Sequence, residues 1–155
     1  MGAAVRPILA AVGVAATPTS PLILLGRSIG GLCASHLAAV WPRRWRAVVF
    51  ESASSGLLNE KDAESLESAL FANARRMQAM AKDGARLPVL LLHGTQDNIV
   101  PFAEAEAMFA HLKVLGFSVR LEPLPGGHNG LMKMPKSYFG PLTNFVCAVR
   151  NGDVT

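Results

Sequence analysis

Apolar segments alternate with amphipathic segments along most of the chain. Four segments are predicted as strands, and most of them lack the polar alternation of a half-exposed strand, which indicates burial on both faces. These strands are residues 21–25, 46–51, 88–92 and 117–122. Helices are predicted for residues 28–40, 59–82, 101–115 and 136–149. This order predicts an α/β fold, a three-layer sandwich of right-handed βαβ units around a mostly parallel sheet of about four strands.

Residues 52–87, between the second and third predicted strands, contain the clearest amphipathic helix of the sequence. Asn59 is placed to cap it, and Leu66, Leu70 and Met77 share one of its faces. Two interpretations of this apolar face remain open. It packs on the sheet, or it belongs to a short lid-like segment that partly covers an open site.

The composition fits a single domain over residues 1–155. Half of the residues are hydrophobic, 17% are charged, and the mean hydropathy is +0.30, which excludes intrinsic disorder. The net charge is +4, and the only tight basic group consists of Arg43, Arg44 and Arg46. A nucleic-acid-binding surface normally has a longer basic stripe with interleaved aromatic residues, so nucleic acid is not expected as a partner.

The cysteines and the first residues bear on the location of the protein. Cys33 and Cys147 do not form a disulfide framework, which favours a reducing, cytoplasmic compartment. Residues 8–16 weakly resemble the apolar part of a targeting segment, but they are too short to cross a bilayer. No integral membrane span is therefore expected.

The segment GRSIGG, residues 26–31, has the pattern G-x-S-x-G between the first predicted strand and the first predicted helix. A serine on so sharp a turn adopts a strained backbone conformation, and its neighbours must be small. The turn exposes the Ser28 hydroxyl above the carboxyl edge of the sheet, where the helix N-terminus favours an oxyanion. Ser28 is therefore a candidate nucleophile, and the alternative is an ordinary helix N-cap.

A serine nucleophile needs a base, and the base needs an orienting carboxylate. Asp97 follows the third predicted strand and His128 follows the fourth, so both are expected at the sheet edge that carries Ser28. Glu51, at the end of the second strand, is the rival carboxylate. The simpler interpretations are that Asp97 caps the next helix and that His128 is a plain turn residue.

No cofactor and no metal are expected. His93 and Asp97 have the spacing of a metal pair, but no third ligand is placed to complete a site, and His93 is more typical of a packing or hydrogen-bonding residue. The chain also has no P-loop and no G-x-G-x-x-G segment. A hydrolysis based on a serine needs neither, because the nucleophile, the base and the oxyanion donor are all protein groups.

The segments LLGRSIGG, VLLLHGTQDNIVP and LPGGHNG resemble the C-terminal half of an α/β hydrolase. The resemblance covers residues 21–149 and is nearest to the serine esterase and serine aminopeptidase-like branch of that superfamily. It implies that Ser28 is the nucleophile, His128 the general base and acid, and Asp97 the orienting carboxylate. The backbone N–H of Ile29 is implied as one oxyanion donor. The implied activity is cleavage of an ester, thioester or amide in a small-molecule or acylated substrate, through an acyl-enzyme.

The resemblance includes only the last four strands of that family's sheet. No segment before Ser28 matches the one that supplies the second oxyanion donor in family members. The alternative function is therefore a non-catalytic or vestigial hydrolase fragment that acts by binding, or one that is inactive without an N-terminal half. Strand 21–25 is also expected to be an unprotected apolar edge, which predicts a homodimer or a partner strand there rather than a stable monomer.

Overall fold

A computed structural model of the chain describes residues 22–58, 72–128 and 135–154. The strands are β1 Leu22–Arg27, β2 Trp45–Glu51, β3 Val89–Gly94 and β4 Val119–Leu124. The helices are α1 Gly30–Val40, α2 Asn73–Lys82, α3 Phe102–Val114 and α4 Pro135–Asn151, with a short 3-10 helix at Pro42–Arg44. All four strands pair in parallel in the order β1-β2-β3-β4. The predicted α/β fold with a parallel sheet is confirmed.

Strands β1, β3 and β4 end two residues later than the apolar pattern indicates. In β1, Gly26 and Arg27 remain in the ladder because they pair in register with Phe50 and Glu51 of β2. Apolar side chains mark the buried centre of a strand, whereas backbone pairing continues into the residues that approach the site. The pattern therefore underestimates the length of each of these strands at its carboxyl end.

Of the helix predicted over residues 59–82, the structure describes Asn73–Lys82 as α2. The rest of that helix, with its predicted cap and two of its three stripe residues, lies outside the described residues. The third stripe residue, Met77, is fully buried in the core against the sheet. The lid-like role of residues 52–87 stays a prediction.

The two faces of the sheet are covered by different numbers of helices. Because the strands follow one another in space as they do in sequence, right-handed crossovers return each connecting helix to the same face, where α1, α2 and α3 lie. On the opposite face Tyr138 and Phe145 of α4 pack against Val49, Leu90 and Leu92. In the described part of the chain no helix has the length and hydropathy needed to cross a membrane.

Strand β1 lies at one edge of the described sheet. Its residue Leu24 is buried in the core, whereas Leu25 is 49% exposed. The pairing of this edge with a second copy of the chain or with another partner stays a prediction.

Candidate active site

Ser28 lies in the tight turn between β1 and α1, and its φ is +49°. Such a φ is uncommon for a residue other than glycine and indicates local strain. Two backbone hydrogen bonds hold the turn. The Ser28 N–H donates to the Glu51 carbonyl oxygen at 2.8 Å, and the Gly31 N–H donates to the Ser28 carbonyl oxygen at 3.0 Å. Ser28 therefore occupies a strained strand-to-helix turn that is tied to the end of β2.

Close packing around this turn depends on two of its glycines. A Cβ at Gly26 would lie 2.5 Å from the Gly30 carbonyl oxygen and 2.8 Å from the Ala34 Cβ. A Cβ at Gly31 would lie 2.8 Å from the Ala53 Cβ. A Cβ at Gly30 would meet nothing within 4 Å, so this glycine of the pattern is not required by the space around it.

His128 lies between Asp97 and Ser28. Its Nδ1 is 2.8 Å from Asp97 Oδ2, and its Nε2 is 2.9 Å from Ser28 Oγ. An ionised carboxylate can only accept, so Nδ1 carries the ring proton and Nε2 is left to accept from the Ser28 hydroxyl. The structure thus brings these three residues together in the order carboxylate, imidazole, hydroxyl.

The Asp97 side chain is fully shielded from solvent. Burial by itself raises the pKa of Asp97, but hydrogen bonds to the charged form outweigh this effect and the pKa lies below its usual value. The N–H groups of Val100 and Ile99 each donate to Oδ1 at 2.9 Å, and the His128 ring donates to Oδ2. Asp97 therefore stays ionised at neutral pH and holds the imidazole in one tautomer.

Three loops at the carboxyl edge of the sheet carry these side chains. Ser28 follows β1, Asp97 follows β3 and His128 follows β4. The loops after β3 and β4 are joined directly, because the N–H groups of Thr95 and Gln96 donate to carbonyl oxygens at the end of β4 and just beyond it, at 2.8 and 3.0 Å. The spacing between Asp97 and His128 is thus fixed by the backbone as well as by their own hydrogen bond.

Ile29 immediately follows Ser28 and precedes the first residue of α1. Its backbone N–H has no acceptor among the described residues, and its side chain is 62% exposed. The start of a helix favours negative charge, because its N–H groups and its dipole point there. An N–H group without an acceptor beside a serine hydroxyl is the arrangement that an oxyanion requires.

Glu51, the rival carboxylate, has other partners. Its Oε1 accepts from Arg27 Nε at 3.1 Å, and its Oε2 accepts from the Tyr138 hydroxyl at 2.8 Å. Burial and the neighbouring Glu51 carboxylate raise the pKa of Tyr138 to about 12. Since the His128 Nδ1 contacts Asp97, Glu51 is not the carboxylate beside the imidazole.

His93 supports the loop that carries Asp97. The ring is buried, and its Nε2 donates to the Val100 carbonyl oxygen at 2.8 Å. The same nitrogen is 3.5 Å from Asp97 Oδ2, and the ring packs edge-on against Phe102. His93 thus has the packing and hydrogen-bonding environment expected of it. Across the described ranges, no group of three or more His, Cys, Asp or Glu side chains is arranged to hold a metal ion.

Sequence reasoning missed Glu104 of α3, which is 4% exposed. Its Oε2 accepts from the Ser54 hydroxyl at 3.2 Å and from the N–H groups of Ser55 and Gly56 at 2.8 and 3.2 Å. The Ser55 hydroxyl also donates to it. The contacts tie the chain that follows β2 to the first turn of α3. The only sequence signal was an acidic residue in the first turn of a predicted helix, which is common on exposed helices.

Sequence reasoning also missed the polar partners of Glu51. Arg27 occupies a variable position of the G-x-S-x-G pattern, so nothing in the pattern draws attention to it. Tyr138 is 87 residues away from Glu51 along the chain. A cation at the end of an apolar strand, directly before Ser28, was the one available signal.

Comparison with known proteins places the chain in a family. The sequence profile of the prolyl oligopeptidase family matches residues 8–135, which is more than half of the chain. No curated protein sequence matches the chain significantly.

Solved structures share the fold. An α/β hydrolase from the metagenome of sediments of the Mar Chica lagoon, Morocco, has a TM-score of 0.56 and 23% identity, over 90% of this chain and 65% of that chain. The acylaminoacyl peptidase of Pyrococcus horikoshii has a TM-score of 0.60 and 18% identity, over 92% of this chain and 25% of that chain. A carboxylesterase of Nitrososphaera gargenis has a TM-score of 0.65 and 18% identity, over 95% of this chain and 70% of that chain. The chain thus spans less than two thirds of the first two structures.

Proposed function

The chain belongs to the prolyl oligopeptidase family of α/β hydrolases, and on that premise we propose that it is a serine hydrolase that works through an acyl-enzyme. One observation carries the proposal. His128 lies within hydrogen-bond distance of both Asp97 and Ser28, with its two ring nitrogens facing the two partners. A serine, an imidazole and a buried carboxylate in this order form the constellation that activates a hydroxyl for attack on a carbonyl.

In the proposed reaction Ser28 Oγ attacks the carbonyl carbon of the substrate while its proton passes to His128 Nε2. Asp97 stabilises the imidazolium that forms, and the Ile29 N–H donates to the oxyanion. His128 then gives the proton to the leaving group. Water attacks the acyl-enzyme, its proton is taken up by the same ring, and Ser28 regains its hydroxyl as the acid is released.

The proposed substrate is a small-molecule or acylated ester, thioester or amide. The exposed Ile29 side chain offers an apolar contact directly beside Ser28. Residues 52–87 are proposed as a short lid-like segment. Its start is anchored by hydrogen bonds of Ser54, Ser55 and Gly56 to Glu104, and its later part, α2, packs on the sheet. The similar structures include both esterases and a peptidase, so both kinds of bond are candidates.

Labelling of the full chain with a fluorophosphonate tests the proposal. The reagent should modify Ser28, and Ser28→Ala should abolish labelling, whereas Ser137→Ala, at an exposed serine of α4, should label like the wild type. His128→Ala should slow labelling by several orders of magnitude, because the members of such a site act as a unit. His36→Ala, at an exposed histidine of α1, is its matched control. Undiminished labelling of Ser28→Ala would exclude the assignment, and no labelling of the wild type would favour a non-catalytic binding role.

A substrate panel separates the candidate bonds. Chromogenic esters of increasing acyl length should be compared with amino-acid arylamides at equal concentrations. Faster turnover of the longer esters supports an apolar acyl site near Ile29. A preference for arylamides over all of the esters supports an aminopeptidase-like activity instead.

A further inference from the structure

Three hydrogen bonds from described residues hold His128, and two of them involve its ring. The third involves its backbone carbonyl oxygen, which accepts from Arg27 Nη2 at 3.0 Å. Arg27 is the last residue of β1 and directly precedes Ser28. One side chain thus links the strand that carries Ser28 to the loop that carries His128, across 101 residues of sequence.

The Arg27 guanidinium is itself held in place. Its Nε donates to Glu51 Oε1 at 3.1 Å, and the second oxygen of that carboxylate accepts from the Tyr138 hydroxyl at 2.8 Å. Arg27 and Glu51 are also partners in the register of β1 with β2, so the backbone ladder sets their separation. The Glu51 side chain is 2% exposed and the Arg27 side chain 34% exposed. The buried Glu51 carboxylate therefore holds the Arg27 guanidinium, which extends from it to the His128 carbonyl oxygen.

We propose that Arg27 is a positioning residue for His128, and that Glu51 fixes the guanidinium in the orientation that this requires. The inference deepens the proposed function and rests on it, since it assigns the contact that keeps the proposed general base in line. Arg27 touches neither the Ser28 hydroxyl nor the His128 ring in this proposal. It acts on the backbone from which the ring projects.

The geometry explains why the ring needs this support. The Nδ1 and Nε2 contacts fix the ring only while the His128 backbone stays at its present distance from Asp97 and Ser28. A misplacement of about 1 Å can cost about 10²-fold in rate when it disturbs the alignment of reacting groups. A hydrogen bond to the carbonyl oxygen restrains the backbone at the residue where the ring is attached.

The chemistry of arginine suits this position. A guanidinium has five N–H donors in a rigid plane and stays charged at all pH values of interest. It can therefore donate to a carboxylate and to a carbonyl oxygen in different directions at the same time. A lysine ammonium at the end of a flexible stem carries the charge without the fixed fork, so Arg27→Lys separates the charge from the geometry.

Three variants of the full chain test the proposal: Arg27→Met, Arg27→Lys and Glu51→Gln. Arg86→Met is the matched control, because Arg86 also donates through Nε to a backbone carbonyl, that of Leu115, at 2.8 Å, but lies away from the site. Thermal melts establish the temperature range in which each variant is folded. Two readouts are then taken in that range: the second-order rate of fluorophosphonate labelling at Ser28, and the ring ¹⁵N shifts of His128 in histidine-labelled protein, assigned with His128→Gln.

In the wild type the ¹⁵N shifts should show His128 as the Nδ1–H tautomer, as its contact with Asp97 requires. Arg27→Met should lower the labelling rate by about 10²-fold and shift the ring toward a mixture of tautomers. Arg27→Lys and Glu51→Gln should give intermediate losses in both readouts, and Arg86→Met should change neither. If Arg27→Met does not fold, the labelling rates and the His128 tautomers of Arg27→Lys and Glu51→Gln test the proposal.

Two results would overturn the positioning role. One is a labelling rate within twofold of wild type together with an unchanged tautomer in folded Arg27→Met or Arg27→Lys, which leaves the ion pair a purely structural role. The other is a wild-type His128 without a predominant Nδ1–H tautomer. If the wild type is not labelled but the tautomer depends on Arg27, the hydrolase proposal fails and the positioning inference stands.

Discussion

Two buried carboxylates lie at the ends of neighbouring strands, and different groups stabilise their negative charges. Counted as whole residues, Glu51 at the end of β2 is 1% exposed and Asp97 in the loop after β3 is 7% exposed. Glu51 is paired with the guanidinium of Arg27. Asp97 is held by two backbone N–H groups and an imidazole. In the proposed reaction the imidazole takes up the proton of Ser28, so of the two carboxylates Asp97 is the one placed to stabilise the charge that forms.

The backbone at each position accounts for the difference. Glu51 remains in the ladder, where its carbonyl oxygen accepts from the Ser28 N–H. Because Glu51 is in register with Arg27 of β1, its side chain pairs with the Arg27 guanidinium. Asp97 lies in a turn, where the N–H groups of Ile99 and Val100 point back to its own carboxylate. A strand end favours a side-chain ion pair, whereas a turn supplies backbone donors and leaves the second oxygen for a histidine.

The largest expected effect separates the two carboxylates by activity. Asp97→Asn keeps the size of the side chain but offers an amide donor to the imidazole, which favours the wrong tautomer, and a fall in kcat of about 10⁴-fold is typical of this exchange. Glu51→Gln should cost much less, because it acts on His128 only through Arg27. The measurement is kcat on an activated ester at neutral pH. Equal losses in the two variants would mean that Glu51 and Asp97 contribute equally to activity.

The next effect concerns stability. Glu51→Ala leaves the Tyr138 hydroxyl and the Arg27 guanidinium without this acceptor, and the free energy of unfolding should fall by about 2–4 kcal/mol. The loss stays below that of a fully buried pair because the Arg27 side chain is 34% exposed. Urea unfolding measures it, with Glu106→Ala on the exposed side of α3 as the control. A midpoint unchanged from that of the control would mean that the pair contributes nothing to stability.

The stability of the protein at acid pH tests how Asp97 is held. The folded-state pKa of Asp97 is lowered, and an aspartate in an unfolded chain titrates near about 3.9. Ionised Asp97 therefore contributes stability above that value, and the contribution is lost as the pH falls through the unfolded and then the folded pKa. The difference in unfolding free energy between wild type and Asp97→Asn should stay constant from neutral pH to about pH 5 and shrink between about pH 5 and about pH 3. A difference that stays constant over the lower of these two ranges would contradict the lowered pKa.

The smallest effect is expected for Tyr138→Phe. Loss of one hydrogen bond to a buried carboxylate should cost about 1–2 kcal/mol at neutral pH and change activity little, since Tyr138 contacts Glu51 rather than His128. The pKa of Tyr138 is raised to about 12, so its contribution is present below the unfolded pKa of about 10 and is lost as the pH rises through the folded one. Alkaline unfolding followed by circular dichroism should show a weaker decline for the variant between those values. An identical decline in stability of wild type and variant would mean that groups other than Tyr138 cause the alkaline sensitivity.

The fold class and the sheet edge that carries the candidate site could both be predicted from the pattern of residues alone. Buried strands that alternate with helices require parallel pairing, and parallel strands bring their carboxyl ends to one edge. Ser28, Asp97 and His128 each follow a different strand, so their loops had to meet there. The need for small residues around Ser28 was predicted from the sharp strand-to-helix turn. Of these glycines, Gly26 and Gly31 are the ones whose surroundings leave no space for a Cβ.

The family resemblance favoured Asp97 over Glu51, but the contact of Asp97 with the imidazole and the groups that support it are visible only in the folded molecule. Glu51 and Asp97 both follow strands of the same sheet, and their order along the chain does not tell which side chain reaches His128 Nδ1. The choice depends on side-chain directions and on Tyr138, which α4 brings to the far face of the sheet. The contact of Arg27 with the His128 carbonyl likewise joins residues that are 101 positions apart. Distances of a few ångströms between remote residues are set by the packing of the whole domain, and no local pattern of residues records them.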